Sequence, residues 1–237
     1  MEIEIINNYE FIKFEYDNAV ILFSTAKGGL NFNPKTEEGL VNLKKIKEQY
    51  DLKDIGYLNQ IHSDLVLNFN GHIRDGDALI TDRKRTAIGV FTADCVPVIL
   101  VDTRASVIAA VHSGWKGTKE LIVSKTIKRL QENYDSRAQD IRVYIGPHIE
   151  KCCYEVSREL IEEFTSEDIY SNINISNIEN KLDLEKCILT QLLEKGIKEE
   201  NVSVTNACTS CNKQYELYSY RSNENKKERM FSFVYFK

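Results

Sequence analysis

Residues 86–112 read TAIGVFTADCVPVILVDTRASVIAAVH and contain three short apolar runs separated by two breaks. The runs at 86–91, 97–102 and 107–112 are rich in Val and Ile, and this composition predicts three short strands. The break at 102–106 is typical of a turn, so the second and third strands are expected to form a hairpin. The centre of the chain is therefore expected to be a sheet.

Similar runs extend this pattern in both directions. We expect further strands at 55–58, 65–69, 78–81, 141–145, 202–206 and 230–236, a hairpin over 9–23, and a charged turn at 222–229. Helical spacing of apolar residues predicts helices at 36–50, 118–133, 157–164 and 182–195. No linker, repeat or low-complexity segment divides the sequence. The economical prediction is one α+β domain over residues 1–237, with helices covering a large sheet component.

Composition excludes several classes of protein. The 237 residues are 42% hydrophobic and 28% charged, which is ordinary for a globular protein that buries a substantial core. No apolar run reaches the roughly 18 residues that a membrane span needs. The net charge of −5 disfavours binding to nucleic acid or anionic membranes. With six cysteines and no signal peptide, we expect a cytoplasmic protein with reduced thiols.

Three residues could form a metal centre. His62, Cys95 and His112 each lie at the end of a predicted strand or in the loop after it. Two imidazoles and a thiolate suit zinc, and three protein ligands leave one coordination position open for water or substrate. Each of the three, taken alone, is more often a structural residue, so the prediction depends on their similar contexts.

Several neighbouring residues could support chemistry. Asp94 precedes Cys95 and could orient a water or a ligand histidine, whereas Asp77 could serve as a general acid/base or simply cap a turn. After His112, a glycine-containing turn with Trp115 and Lys116 leads into a helix and could receive an anion, or could be a plain strand-to-helix turn. The CxxC at 208–211 could be half a zinc site or a redox pair, although reduced structural cysteines are the simpler interpretation.

Five ordered motifs resemble one known family. NQIHSDLV, GDALITD, TADCVPVIL, AAVHSGWKGT and GPHIEKCCYEV follow one another in the sequence. They are similar to the laccase-domain, or multicopper polyphenol oxidase, family of the YfiH type, whose members are described as purine nucleoside phosphorylases with adenosine deaminase activity. The resemblance runs from the Lys27 loop to about Arg221. It departs from the family where Lys27 and Lys116 stand in place of arginine and where Phe91 stands in place of a common cysteine.

The resemblance implies a fold, a metal and a reaction. The fold would be a four-layer α/β/β/α sandwich with mixed sheets. His62, Cys95 and His112 would hold one zinc ion per chain, with copper as a possible occupant, because four histidines are too few for a multicopper oxidase. Asp94 and Asp77 would be the catalytic acid/base candidates. The residues expected to bind substrate are Lys27, Gln60, Trp115, Lys116 and Arg221.

The reaction so implied is phosphorolysis of adenosine, inosine, guanosine or methylthioadenosine, together with deamination of adenosine through a metal-activated water. The partners would be purine nucleosides and phosphate, and the protein a monomer or small homo-oligomer. Two alternatives remain open. One is a cysteine hydrolase with Cys95 as nucleophile and His112 as base. The other is a non-catalytic protein that binds a nucleotide or a cell-wall-linked partner.

Overall fold

The protein is built on two six-stranded mixed sheets. The computed structural model describes residues 1–6, 9–176, 180–222 and 226–237, so part of the predicted 222–229 turn lies outside the described residues. The first sheet has the order β1-β2-β3-β12-β7-β4, and only its β4–β7 pair is parallel. Its strands are β1 (Glu2–Ile6), β2 (Tyr9–Tyr16), β3 (Ala19–Ser24), β4 (Asp54–Gly56), β7 (Thr86–Thr92) and β12 (Met230–Phe236).

The second sheet has the order β11-β10-β8-β9-β6-β5, with parallel pairs at β5–β6 and β10–β11. Its strands are β5 (Val66–Asn68), β6 (Ala78–Thr81), β8 (Val96–Asp102), β9 (Val107–Ser113), β10 (Arg142–Ile145) and β11 (Val202–Val204). The expected hairpin between the second and third central strands is confirmed as the antiparallel β8–β9 pair. The helices are α1 (Glu37–Gln49), α2 (Trp115–Lys119), α3 (Ile122–Tyr134), α4 (Arg158–Thr165) and α5 (Leu184–Glu194).

The layers pack as α/β/β/α, as predicted. Buried side chains of both sheets, such as Ile21 and Ile108, form the core between the sheets. Leu43 and Ile46 of α1 pack on the outer face of the first sheet. The outer face of the second sheet carries α3 and α5. Among the described residues, no helix has the length and apolar character needed to cross a membrane.

The predicted helix at 118–133 is wrong in its first part, because two helices occupy this region. Leu121 has a left-handed φ of 61° and separates α2 from α3. The carbonyl of Thr118 accepts hydrogen bonds from Tyr170 Oη at 3.0 Å and from Gln191 Nε2 at 2.9 Å. The N–H of Leu121 also donates to this carbonyl, at 3.1 Å, so main chain and buried side chains together satisfy the end of α2. The short helix α2 is thereby held beside the end of β9.

Candidate metal centre and active-site cavity

The pairing of β8 with β9 brings Cys95 to His112. In this antiparallel pair Val96 lies opposite Ser113, and Pro97 lies opposite His112. Cys95 comes directly before β8, so its thiol reaches the end of β9. His112 is only 3% exposed, while Cys95 is half-buried. Two of the three predicted ligands therefore meet because of strand register.

Asp94 lies in the connection that carries the chain from β7 in one sheet to β8 in the other. Its φ is 90°, which is uncommon for a residue other than glycine. Both carboxylate oxygens accept hydrogen bonds, one from Thr209 Oγ1 at 2.6 Å and one from the main-chain N–H of Arg221 at 2.7 Å. Asp94 therefore fixes the C-terminal segment against the corner that presents Cys95.

Asp77 fixes the two histidines of the predicted ligand set, His62 and His112. It is fully buried, and its Oδ1 accepts hydrogen bonds from His112 Nδ1 at 2.7 Å and from the His62 N–H at 3.1 Å. Its Oδ2 accepts from the N–H groups of Ile61 and Ser63 and from Ser63 Oγ. The loop thus holds His62 at a left-handed φ of 59°. Burial by itself would raise the pKa of Asp77, but the bonds from His112 and Ser63 lower it below its ordinary value.

The three candidate ligand atoms converge. One ligand atom from each of His62, Cys95 and His112 can be chosen so that all three lie within 4.8 Å of one another. His62 Nε2 lies 3.9 Å from Cys95 Sγ, and the two imidazole rings are 4.9 Å apart at 79°. Ligand atoms of a tetrahedral zinc ion, with bonds of about 2.0–2.3 Å, lie about 3.3–3.8 Å apart. Because Asp77 bonds Nδ1 of His112, the Nε2 of this histidine is left to face the other two ligands.

The thiol of Cys95 and the imidazole of His112 form a charged pair. Burial by itself would raise the pKa of Cys95, but the positive charge of His112 and hydrogen bonds from both histidines lower it to about 6. Burial likewise disfavours charge on His112, yet Cys95 and Asp77 raise the pKa of His112 to about 9. A thiolate and an imidazolium therefore face each other around neutral pH, and a thiolate is the form that binds metal.

Glycine at position 114 allows a close approach to the predicted ligands. A Cβ atom there would lie 3.1 Å from Cys95 Sγ and 3.2 Å from His62 Cδ2. At Gly117 it would lie 3.0 Å from the carbonyl oxygen of Ser63. Neither glycine has a positive φ, so the two residues serve close approach instead of a special turn conformation. They let the turn after β9 pack directly on the ligand cluster.

A cavity of about 740 Å³ opens onto the three ligands. Such a volume is in the range of small-molecule sites. Seven of the ten residues predicted from the sequence line it, namely Gln60, His62, Asp94, Cys95, His112, Trp115 and Arg221. The structure thus brings the metal ligands and most of the expected substrate-binding residues to one place.

The other three predicted residues do not line the cavity. Asp77 lies buried behind the histidines. Lys27 forms an ion pair with Glu10 at 2.8 Å, and Lys116 lies over the Trp115 ring, 5.4 Å from its centroid. Gln60 reaches the cavity, but both ends of its amide bond the main chain of Phe91, at 2.8 and 2.7 Å. Gln60 therefore also ties the His62 loop to the end of β7.

Sequence reasoning missed most of the aromatic wall of the cavity. Besides Trp115, the lining includes Tyr57, Phe91, Tyr154 and Tyr220. Burial raises the pKa of Tyr154 to about 12, so its hydroxyl stays protonated at neutral pH. Tyr154 lies in the GPHIEKCCYEV motif and Phe91 directly precedes TADC, so these motifs were the signals that could have found them. Two further cations, Lys35 and Arg229, also line the cavity and were not predicted.

The charged pair predicts a pH-dependent reaction of Cys95. In metal-free protein, alkylation of Cys95 by iodoacetamide should rise with pH around a midpoint near 6, instead of near the ordinary thiol pKa of 9. Above the midpoint Cys95 is a thiolate, and below it the thiol is protonated and slow to react. Peptide mapping by mass spectrometry would follow Cys95 alone. His112→Ala should move the midpoint upward, His72→Ala should not, and a wild-type midpoint near 9 would contradict the pairing.

Comparison with known proteins places the chain in a family. Residues 22–237 match the family model described as multi-copper polyphenol oxidoreductase laccase. A purine nucleoside phosphorylase of Clostridium acetobutylicum is 48% identical over 238 residues, covering 99% of both chains. A second purine nucleoside phosphorylase, from Aquifex aeolicus, is 36% identical, and the match covers 90% of this chain and 96% of the relative.

Solved structures support the same assignment. The Bacillus licheniformis hypothetical protein YfiH superposes with a TM-score of 0.84 at 26% identity, covering 97% of this chain and 96% of its own. YlmD from Geobacillus stearothermophilus, at 23% identity and a TM-score of 0.82, shows the same fold over 94% of this chain and 93% of its own. The chain therefore belongs to the multi-copper polyphenol oxidoreductase laccase family, with the YfiH-type fold and close relatives named purine nucleoside phosphorylase.

Proposed function

We propose that residues 1–237 form one zinc-dependent domain that cleaves purine nucleosides with phosphate and also deaminates adenosine. The expected substrates are adenosine, inosine, guanosine and methylthioadenosine. The observation that carries the proposal is the convergence of His62, Cys95 and His112 on a 740 Å³ cavity that also contains a carboxylate, cations and aromatic rings. The names of the relatives support the same reaction class.

His62, Cys95 and His112 would hold the ion. Within the described residues, they are one of two groups able to do so, and the other consists of cysteines alone. A bound zinc ion would supply Lewis-acid polarisation of water or of a substrate oxygen. One His₂Cys centre suits a single ion, either zinc or copper, and does not suit the several copper sites of a multicopper oxidase. Zinc is favoured because three nitrogen and sulfur ligands with one open position are typical of catalytic zinc sites.

The aromatic wall suits a purine. Trp115 and Tyr154 line the cavity with the metal ligands, and flat rings of this kind stack on planar bases. Tyr154 can donate a hydrogen bond because its hydroxyl is protonated. Asp94 lies beside Cys95 and lines the cavity, where its carboxylate could accept a proton or stabilise positive charge developing on the ribose.

Arg221 is the cavity cation that we assign to phosphate. It lines the cavity next to Asp94, whose carboxylate its main-chain N–H contacts. Its Nη1 donates to the carbonyl of Glu155 at 2.8 Å, and its guanidinium lies over the Tyr154 ring. A guanidinium fixed in this way can present its remaining N–H groups to phosphate as a fork. We assign Arg221 this role in preference to Lys27 and Lys116, which do not line the cavity.

Chromatography of nucleoside reactions tests the proposal. Zinc-loaded protein should release hypoxanthine from inosine only when phosphate is present, and should convert adenosine to inosine with or without phosphate. Arg221→Ala should raise the KM for phosphate about 10- to 100-fold, the effect of one or more lost charged hydrogen bonds. Deamination does not consume phosphate, so its rate should change much less.

Arg74→Ala is the matched control. Arg74 also donates one hydrogen bond to a main-chain carbonyl, that of Asn68, but it does not line the cavity. Its substitution should leave both reactions unchanged. Zinc-loaded wild-type protein that turns over no purine nucleoside would overturn the proposal. If it instead hydrolysed ester or amide substrates after zinc removal, the Cys95 and His112 pair would favour the cysteine hydrolase.

A further inference from the structure

Four of the six cysteines form a second cluster. Cys152 and Cys153 lie in a turn that follows β10, and Cys208 and Cys211 lie in the turn that follows β11. Their four Sγ atoms all lie within 4.8 Å of one another, and those of Cys152 and Cys211 are 3.5 Å apart. All four are free thiols. Half a zinc site was one alternative for the CxxC at 208–211, and Cys152 and Cys153 bring two further thiols to it.

The parallel pairing of β10 with β11 produces the cluster. Because the strands run in the same direction, the segments that follow them leave from the same edge of the sheet. Past the strands, His148 and Cys208 form a parallel bridge, and the N–H of Thr209 donates to the carbonyl of His148 at 2.9 Å. The two cysteine pairs are therefore brought together by the main chain itself.

The spacing of the sulfur atoms fits one tetrahedral metal ion. With Zn–S bonds of about 2.3 Å, the sulfur atoms of a four-cysteine zinc site lie about 3.8 Å apart. The observed spacing, with one pair at 3.5 Å and all pairs within 4.8 Å, brackets this value. One disulfide would use only two of the four thiols, whereas one metal ion would use all four.

The main chain is folded around the sulfur of Cys208. The N–H groups of Glu150, Ser210 and Cys211 donate hydrogen bonds to this sulfur. Two of these N–H groups come from the CxxC turn, so the turn is folded around the sulfur of its first cysteine. Such bonds stabilise negative charge on a metal-binding sulfur.

We propose that Cys152, Cys153, Cys208 and Cys211 hold one structural zinc ion, separate from the His62, Cys95 and His112 centre. Four thiolates complete a tetrahedral shell and leave no position for substrate, which is typical of a structural site. Sulfur ligands alone select zinc over magnesium, calcium or manganese. The two proposed centres therefore differ in chemistry, one closed with four sulfurs and one open with two nitrogens and one sulfur.

The second ion would brace the wall of the cavity. Tyr154 follows Cys153 directly and lines the cavity. Thr209 follows Cys208 and bonds Asp94 at 2.6 Å, while the N–H of Ile149 donates to the carbonyl of Asp94 at 2.9 Å. Joining the two turns through one ion would hold both sets of contacts against the Asp94 corner.

Metal analysis of full-length protein, purified under reducing conditions without added metal, tests the assignment. Wild-type protein should contain two zinc ions per chain. His62→Ala should retain one, and Cys152→Ser/Cys211→Ser should lose the other, since these two cysteines are exposed and their substitution spares the core. Cys187→Ala, which changes a buried cysteine of α5, should keep both ions. Cobalt-substituted His62→Ala protein should keep the intense charge-transfer absorption of a four-sulfur site.

Several results would overturn the assignment. A His62→Ala protein that contains no zinc would overturn it, because this variant keeps all four cysteines. This result does not depend on whether the double cysteine variant folds. A native Cys152–Cys211 disulfide in peptide maps, or iron in place of zinc, would also reject it. None of these measurements uses turnover. Wild-type protein with only one zinc ion, which persists in His62→Ala but is lost in the cysteine variant, would support this site and count against the metal centre of the proposed function.

Discussion

Replacing His62 by alanine should abolish phosphorolysis and adenosine deamination together and remove one metal ion per chain. His62 is exposed, so its substitution should leave the core intact while removing one of three ligands. Loss of a hydrogen-bond partner of a metal ligand typically lowers metal affinity or activity about 10- to 100-fold. Loss of a ligand itself should therefore lower kcat/KM by more than about 100-fold.

Metal content and nucleoside turnover should be measured on the same preparation. His72→Ala is the matched control, because His72 is also an exposed loop histidine and does not line the cavity. It should retain the metal and both activities. Cys95→Ala and His112→Ala should behave like His62→Ala. Full activity in a preparation stripped of metal would show that the three residues do not act through an ion.

The convergence of His62, Cys95 and His112 was predictable because the three residues lie in similar sequence contexts. His62, Cys95 and His112 stand where predicted strands end, and the hairpin that unites two of them was itself predicted. Their convergence follows from the β8–β9 register, in which His112 lies opposite the second residue of β8. The ordered motifs then pointed to the same three residues. Short-range patterns therefore sufficed for this part of the site.

Contacts that depend on distant parts of the chain were not predictable. β7 and β8 look like consecutive strands of one sheet, but the turn at Asp94 sends them into different sheets. The charge of Lys27 suggested a phosphate contact, yet its nearest partner is Glu10 on β2. The cysteine pairs meet only through the parallel β10–β11 pairing. Each of these outcomes is decided by which strands become neighbours, and composition or spacing does not encode that choice.

Asp77→Asn should weaken metal binding. It should also lower the free energy of unfolding more than the same substitution of an ordinary buried aspartate would. Five donor groups, including His112 Nδ1 and Ser63 Oγ, point at the two carboxylate oxygens of Asp77. An amide has one acceptor oxygen, so its NH₂ group must face either the His112 ring or the Ser63 donors. Breaking a buried, hydrogen-bonded charge pair costs about 3–5 kcal/mol. We expect a loss of that order, with zinc affinity about 10- to 100-fold lower.

Urea unfolding and zinc-competition titrations would measure the two effects. Asp102→Asn is the control, since Asp102 is as deeply buried as Asp77. Among the described residues, its Oδ1 accepts a hydrogen bond from the Ala105 N–H and its Oδ2 has no partner. The lowered pKa of Asp77 means that its stabilisation is present above the ordinary carboxyl pKa and is lost as the pH falls below it. The stability difference between wild type and Asp77→Asn should therefore shrink in acid.

The same variant separates positioning from catalysis by Asp77. Its carboxylate reaches the cavity only through His112 and the His62 loop, so we expect saturating zinc to restore most of kcat. A general acid or base would behave differently, because its loss lowers kcat even when the metal site is full and removes one limb of the pH profile. If zinc-saturated Asp77→Asn enzyme has lost that limb of the pH profile, Asp77 is a catalytic group. If the pH profile is unchanged, Asp77 is a positioning residue that orients His112 toward the metal.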